Sequence, residues 1–219
     1  MKKIMFNDKY GLTDAVLQGR KTMMRCLVGT RMTDDDIKAY FKGYTELADK
    51  CAPYKIGEVV AVAQPYRDVL KTGYDLIERR NIRKSLEDAL GVVTLENAKG
   101  WNNKMFVRAD LMPHRIRITD NKVERLRDIS SKDILKEGFV KVKFDVYQGL
   151  SVVRTMSGYT LPQWKESIEN PWQPTIKGSF SAESPDVAIS VLLYYLGGKD
   201  ERFLNENPYV FASTFELVK

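Results

Sequence analysis

Along the chain, apolar positions recur at two spacings, and each spacing predicts its own kind of element. In "TDDDIKAYFKGYTELADKC", Ile37, Tyr40, Phe41, Tyr44 and Leu47 follow the helical period, which predicts one helix over 33–51. Thr33 and the acids behind it suit the positive end of that helix's dipole. "YDLIERRNIRKSLEDALG" predicts a second amphipathic helix, with Arg79, Arg80, Arg83 and Lys84 on its wet side. In "HRIRIT", by contrast, Ile116 and Ile118 alternate with Arg115, Arg117 and Thr119, as in a strand with one buried and one cationic face.

Shorter apolar runs predict strands in "KKIMFND", in "TMMRCLV", and in "YKIGEVVAVAQPY" up to Pro65. "NPYVFASTFELV" predicts another, with Val210, Ala212 and Thr214 opposed to Phe211 and Phe215. Thr13 is expected to cap a short helix that turns Leu12, Ala15 and Val16 inward and ends at Gly19. "SSKDILKEG" predicts a capped helix ending at Gly138, and "SPDVAISVLLYYLGG" an apolar helix stopped by two glycines. Residues 139–181 show little periodicity and read as strand pieces and long loops. Together these elements predict a single α+β domain over residues 1–219, whose short, non-adjacent strands suit a small mixed β-barrel with flanking helices.

Composition narrows the class. At 43% hydrophobic and 11% aromatic residues, the chain can bury a substantial core. No apolar run approaches the ~20 residues needed to span a bilayer, so no membrane partner is expected. Asn7 and Asp8 interrupt the N-terminal stretch before a signal-peptide core forms, and Cys26 and Cys51 are too few for a disulfide framework. The expected location is the cytoplasm, with both thiols reduced. The formal charge of +6 is unevenly spread: residues 151–219 carry −2, leaving +8 on residues 1–150. An anionic partner is expected to meet the first two-thirds of the chain.

Several chemistries are excluded by what is missing. His114 is the sole histidine, so no site with two histidine ligands can form, and the cysteines lack the paired spacing of structural zinc. No metal and no cofactor is expected. Glycine-rich phosphate loops, dinucleotide fingerprints and the nucleophile elbow of α/β-hydrolases do not occur. His114 itself is expected to be a half-buried, hydrogen-bonded residue.

What remains is a cationic cluster. Between two apolar runs, "AVLQGRKTMMRCL" carries Arg20, Lys21 and Arg25, with Thr22 as the adjacent hydroxyl. Cations at a helix end complement its dipole. A lysine in a pocket can also hold a phosphate or carbonyl, or act as a base once burial lowers its pKa. Such a base needs an acid to orient it, and Glu137 in "LKEGF" is the candidate. Trp101 offers a surface for base stacking, and the Arg115 and Arg117 face could meet phosphates.

"FNDKYGLTDAVLQGRKTMMR", "NKMFVRADLMPHRIRITDNKVERLRDIS", "ILKEGF" and "NPYVFASTFEL" together resemble ASCH-domain proteins, closest to bacterial and phage members. The resemblance covers about half the chain, with 29–55 and 139–200 read as insertions. It implies a PUA-like barrel whose cleft binds RNA or modified nucleosides. The family signature is Gly, any residue, Lys, four residues, then Arg. Gly19 and Lys21 match it, whereas Cys26 stands at the arginine position and Arg25 falls one place early.

Within the resemblance, the N4-acetylcytidine amidohydrolases use Lys, Thr and Glu. Lys21 and Glu137 match two of these, but Met24 occupies the threonine position and has no proton to lose. Thr22 shares Met24's side of an extended strand, while Lys21 lies on the other.

The expected function is therefore an RNA-, nucleotide- or nucleoside-binding module with a cationic cleft. Lys21 is its central cation, Glu137 its acceptor, and Arg20, Thr22, Arg25, Trp101, Arg115 and Arg117 are its candidate ligand contacts. The alternative is an amidohydrolase of acylated nucleosides using Lys21 and Glu137. A third reading is a phage or mobile-element accessory protein with a protein partner.

Overall fold

The computed structural model describes residues 1–148, 151–160, 188 and 206–218. In chain order its regular elements are β1 (Lys3–Ile4), α1 (Leu12–Leu17), β2 (Met23–Leu27), α2 (Asp34–Phe41), α3 (Glu46–Cys51), β3 (Val59–Val62) and α4 (Tyr66–Val69). They continue with α5 (Leu76–Leu90), β4 (Arg115–Arg125), α6 (Ser131–Lys136), β5 (Val140–Gln148), β6 (Ser151–Thr160) and β7 (Tyr209–Val218). The protein is mixed α+β, as its two periodicities predict. The five-stranded sheet runs in the order β1-β3-β4-β7-β2, with β1 parallel to β3 and the β3–β4 and β2–β7 pairs antiparallel. Its outer strands are β1 and β2, so among the described residues the sheet is open and not the expected closed barrel. The predicted helix at 184–198 lies outside the described residues, apart from residue 188.

The chain gathers into two compact units. The first comprises Met1–Phe6, Glu58–Arg117 and Leu217–Lys219. Its core gathers Ala61 and Ala63 from the β3 region, Tyr66 and Val69 from α4, Leu86 from α5, and Leu95, Val107 and Met112 from the following turns. α5 supplies its apolar stripe through Ile82, Leu86 and Leu90. Asp75 caps α5 by accepting from the Glu78 amide at 2.7 Å, and Gly91 ends it in the left-handed conformation.

The second unit comprises Asn7–Gly57 and Ile118–Glu216. Its predicted 33–51 helix is in fact two, α2 and α3, because Gly43 adopts φ 114 between them. Phe41 and Tyr44 consequently stay exposed, while Ile37, Tyr40 and Leu47 pack against Val28, Val123 and Phe211. Thr33 caps α2 reciprocally with Asp36, as expected. At α1, by contrast, the N-cap is Gly11 and not Thr13, whose hydroxyl donates to the Asp8 carboxylate instead. β7 lies between β4 and β2 in the sheet and is buried on both faces from Val210 to Ser213, with Phe211 packed in the cluster of Val28, Met32, Ala48, Ala52 and Val123. Of residues 139–181, expected to be strand pieces and long loops, Val140–Gln148 and Ser151–Thr160 form an antiparallel pair, β5–β6, with a register shift at Val146/Tyr147, and 161–181 lie outside the described residues.

Candidate functional site

The turn from α1 into β2 fixes Lys21 from both sides. Gly19 takes φ 72, and the Arg20 and Lys21 amides both donate to the Ala15 carbonyl, at 2.8 and 2.9 Å. The Thr22 amide then donates to the Lys136 carbonyl at 2.8 Å, so Lys21 meets Glu137 in an isolated antiparallel bridge at the end of α6. Ser130 caps α6, and Gly138 reverses the chain behind Glu137 at φ 96. Strand alternation does the rest. Lys21, Met23 and Arg25 are buried on one side, while Thr22, Met24 and Cys26 are half-buried on the other.

Lys21 Nζ donates to Glu137 Oε2 at 2.6 Å and to the Glu137 carbonyl at 3.0 Å. Arg25 Nη1 donates to the second carboxylate oxygen, Oε1, at 2.8 Å. The Glu137 carboxylate is thus held by two cations. Lys21 and Glu137 are 3% and 2% exposed, and the Arg25 side chain is fully covered. Arg25 continues to Glu124, with Nε at 3.0 Å and Nη2 at 2.5 Å from Oε1. Lys122 then bridges Glu124 at 2.8 Å and Asp133 at 3.3 Å, and Lys136 reaches Asp133 at 3.2 Å. Signs alternate from the buried centre outward to the exposed rim.

Burial pushes the Lys21 ammonium below the ordinary lysine value, more than the adjacent Glu137 carboxylate restores it, and the nearby Arg25 charge lowers it further. Lys122 lies above its ordinary value, because its bonds and charge pairing with Glu124 and Asp133 outweigh partial burial. Asp133 is held low: burial would raise it, but Lys136 and Lys122 prevail. The Cys26 thiol is pushed up to about 11 by burial, only partly opposed by Arg31, so it is protonated at neutral pH and no nucleophile.

Of the residues expected at the site, the structure brings together Lys21, Arg25 and Glu137. Arg25 reaches Lys21's face although it stands one place early in the signature. The expected cationic cleft is at Lys21 a covered ion pair, its charge neutralised in place. Arg20 is half-buried, with Nε on Gln18 Oε1 at 3.0 Å. Thr22 lies on the opposite side of the strand from Lys21, as its position predicts.

Trp101, Arg115 and Arg117 belong to the first unit. There Trp101 packs half-buried on the core, with the Arg83 guanidinium 5.8 Å from its ring, and both strand arginines are exposed. His114 is half-buried, its carbonyl accepts from the Val62 amide, and burial lowers the ring's pKa. Lys122, Glu124 and Asp133 are the members that sequence reasoning missed. For Lys122 and Glu124 the signal is the alternation that resumes in "NKVER", beyond Asp120 and Asn121, whereas Asp133 lies in α6 and has no such local signal.

Among the described residues, no group of three or more His, Cys, Asp and Glu side chains could hold a metal ion, and no helix is long and apolar enough to cross a membrane. The architecture and this cluster define the class: a mixed α+β protein with a buried lysine–glutamate–arginine centre. No family model matches the chain, and neither the curated proteins nor the solved structures contain a match.

Proposed function

We propose that the chain is an RNA- or nucleotide-binding module of the ASCH, PUA-like kind, in which Lys21 and Glu137 recognise a nucleoside. The observation that carries this reading is the 2.6 Å contact between Lys21 Nζ and Glu137 Oε2, the two positions matched by the resemblance. The neutralised pair supports recognition of an uncharged base or sugar over a phosphate. A base edge presents donors and acceptors together, and a fixed ammonium beside a carboxylate offers the complementary set. Because both side chains are almost fully covered, binding includes a local opening of the junction between β2 and α6.

The lowered pKa of Lys21 favours a second reading, hydrolysis of an acylated nucleoside with Lys21 as base. That chemistry needs a nucleophile, and alternation puts Met23 and Arg25 on the lysine's side of the strand. Binding is therefore the better supported of the two.

The test is a thermal-shift series on wild type and Lys21→Met with nucleosides, N4-acetylcytidine among them, mononucleotides and short RNAs. A ligand at a hundred times its Kd adds about 2.7 kcal/mol of apparent stability, enough to read. A nucleoside shift in wild type that is lost in a variant with unchanged circular dichroism supports the proposal. Absence of any shift, or an equal shift in both proteins, overturns it. Release of acetate from N4-acetylcytidine would favour the hydrolase.

A further inference from the structure

A groove of about 440 Å³ lies in the first unit, lined by Leu70, Lys71, Leu76, Arg79, Arg80 and Arg83. Its size falls within the range of sites that hold a ligand or an anchoring side chain. The groove is built where the end of α4 turns into α5. Gly73 is buried in that turn, and its carbonyl accepts from Arg79 Nε at 3.0 Å, which fixes the arginine over the groove.

The four cations are not equivalent. Lys71 is paired with Asp68 at 2.8 Å, and Arg83 binds both oxygens of Glu96 at 2.9 Å. Arg79 makes no bond to a carboxylate among the described residues, and Arg80 makes no hydrogen bond or ion pair there at all. Two guanidiniums thus stand uncompensated in the first turns of α5, where the helix dipole adds positive potential.

The apolar residues beside them are unusual for a self-contained helix. Leu76 is 82% exposed and Ile77 72%, although α5 already buries Ile82, Leu86 and Leu90 along its stripe. These first-turn side chains serve no packing within the unit. Apolar anchors rimmed by cations mark an interaction surface.

We propose that this groove docks an acidic amphipathic helix of a partner protein. An apolar side chain of the partner seats between Leu70 and Leu76, and its carboxylates pair with Arg79 and Arg80. Charge complementarity selects an acidic partner, and the aliphatic lining selects protein. A single-stranded nucleic acid would call for aromatic platforms along the groove, and no aromatic residue lines it. This inference is independent of the nucleoside site.

The experiment is fluorescence anisotropy with a labelled peptide carrying Leu and Glu at helical spacing. Wild type should bind it, and Arg80→Glu should bind about tenfold more weakly through like-charge repulsion. A peptide with Lys in place of Glu should reverse that order. Arg80 is exposed and unpaired, so its replacement leaves the fold intact. Lys21→Met should bind the acidic peptide like wild type, which separates this surface from the nucleoside site. Failure of the acidic peptide to bind, or equal binding by Arg80→Glu, overturns the proposal. So does binding of oligo(U) RNA, in place of the peptide, that Arg80→Glu abolishes.

Discussion

Glu137 is the residue on which the centre depends, because each of its carboxylate oxygens holds a buried cation: Lys21 at 2.6 Å and Arg25 at 2.8 Å. Replacing a whole buried ion pair with apolar groups is often harmless, but removing one member strands the other's charge. Glu137→Gln keeps the shape and removes the charge. Arg25 retains Glu124, so the larger loss falls on Lys21. We expect Glu137→Gln to lower stability by about 3–5 kcal/mol in urea unfolding. Adding Lys21→Met should recover part of that loss, because it removes the stranded cation. A loss below about 1 kcal/mol, typical of surface pairs, would mean that the ion pair is not closed in solution. The Lys21–Glu137 pairing was legible in the sequence through the resemblance, whereas Glu124, Lys122 and Asp133 were not. Alternation was read only to Thr119, because Asp120 and Asn121 interrupt it. The fold keeps Asn121 inside β4 by giving its side chain partners at Asp49, Tyr54 and Ser213, which no local pattern reveals.

Elements with their own punctuation were the ones the sequence revealed. Thr33 and Asp36 start α2, Asp75 and Gly91 bound α5, and Ser130 starts α6. Those set by tertiary neighbours were not. β7 reads as alternating yet is covered on both faces, and Gly43 splits a continuous helical pattern because its backbone reverses there. Gly138 is the element boundary that matters most to the site. At φ 96 it turns the chain out of α6, and a Cβ built there would lie 3.4 Å from the Cβ atoms of both Ala15 and Lys21. Gly138→Ala therefore combines backbone strain with pressure on Lys21. We expect a stability loss of about 1–2 kcal/mol from the left-handed backbone alone. Gly19→Ala is the control: it carries φ 72 but meets nothing within 4 Å, so it should cost the strain and no more. Equal thermal unfolding of Gly138→Ala and wild type would show that this junction can relax away from Lys21.

Across the whole chain, charge and site are separate things. The formal +6 is made by an excess of +8 in residues 1–150, yet Lys21 adds nothing to the field that a distant polyanion feels. Its ammonium is 3% exposed and sits beside a carboxylate, so in the closed pair it neutralises no phosphate and releases none of the cations condensed on a nucleic acid. Arg115 is exposed, and in the proposed RNA-binding module such arginines would make the salt-sensitive contacts. Two ligand classes should therefore behave differently. A nucleoside read by Lys21 and Glu137 should bind with a Kd nearly independent of salt. A short single-stranded RNA should weaken as salt rises, with a log–log slope of about −0.7 for each phosphate neutralised. Lys21→Met should weaken both ligands while leaving the RNA slope where it was. Titrations of each ligand at several salt concentrations check this. If Lys21→Met flattens the RNA slope by about 0.7, the lysine is a phosphate contact after all, and the pair must open to release it from Glu137.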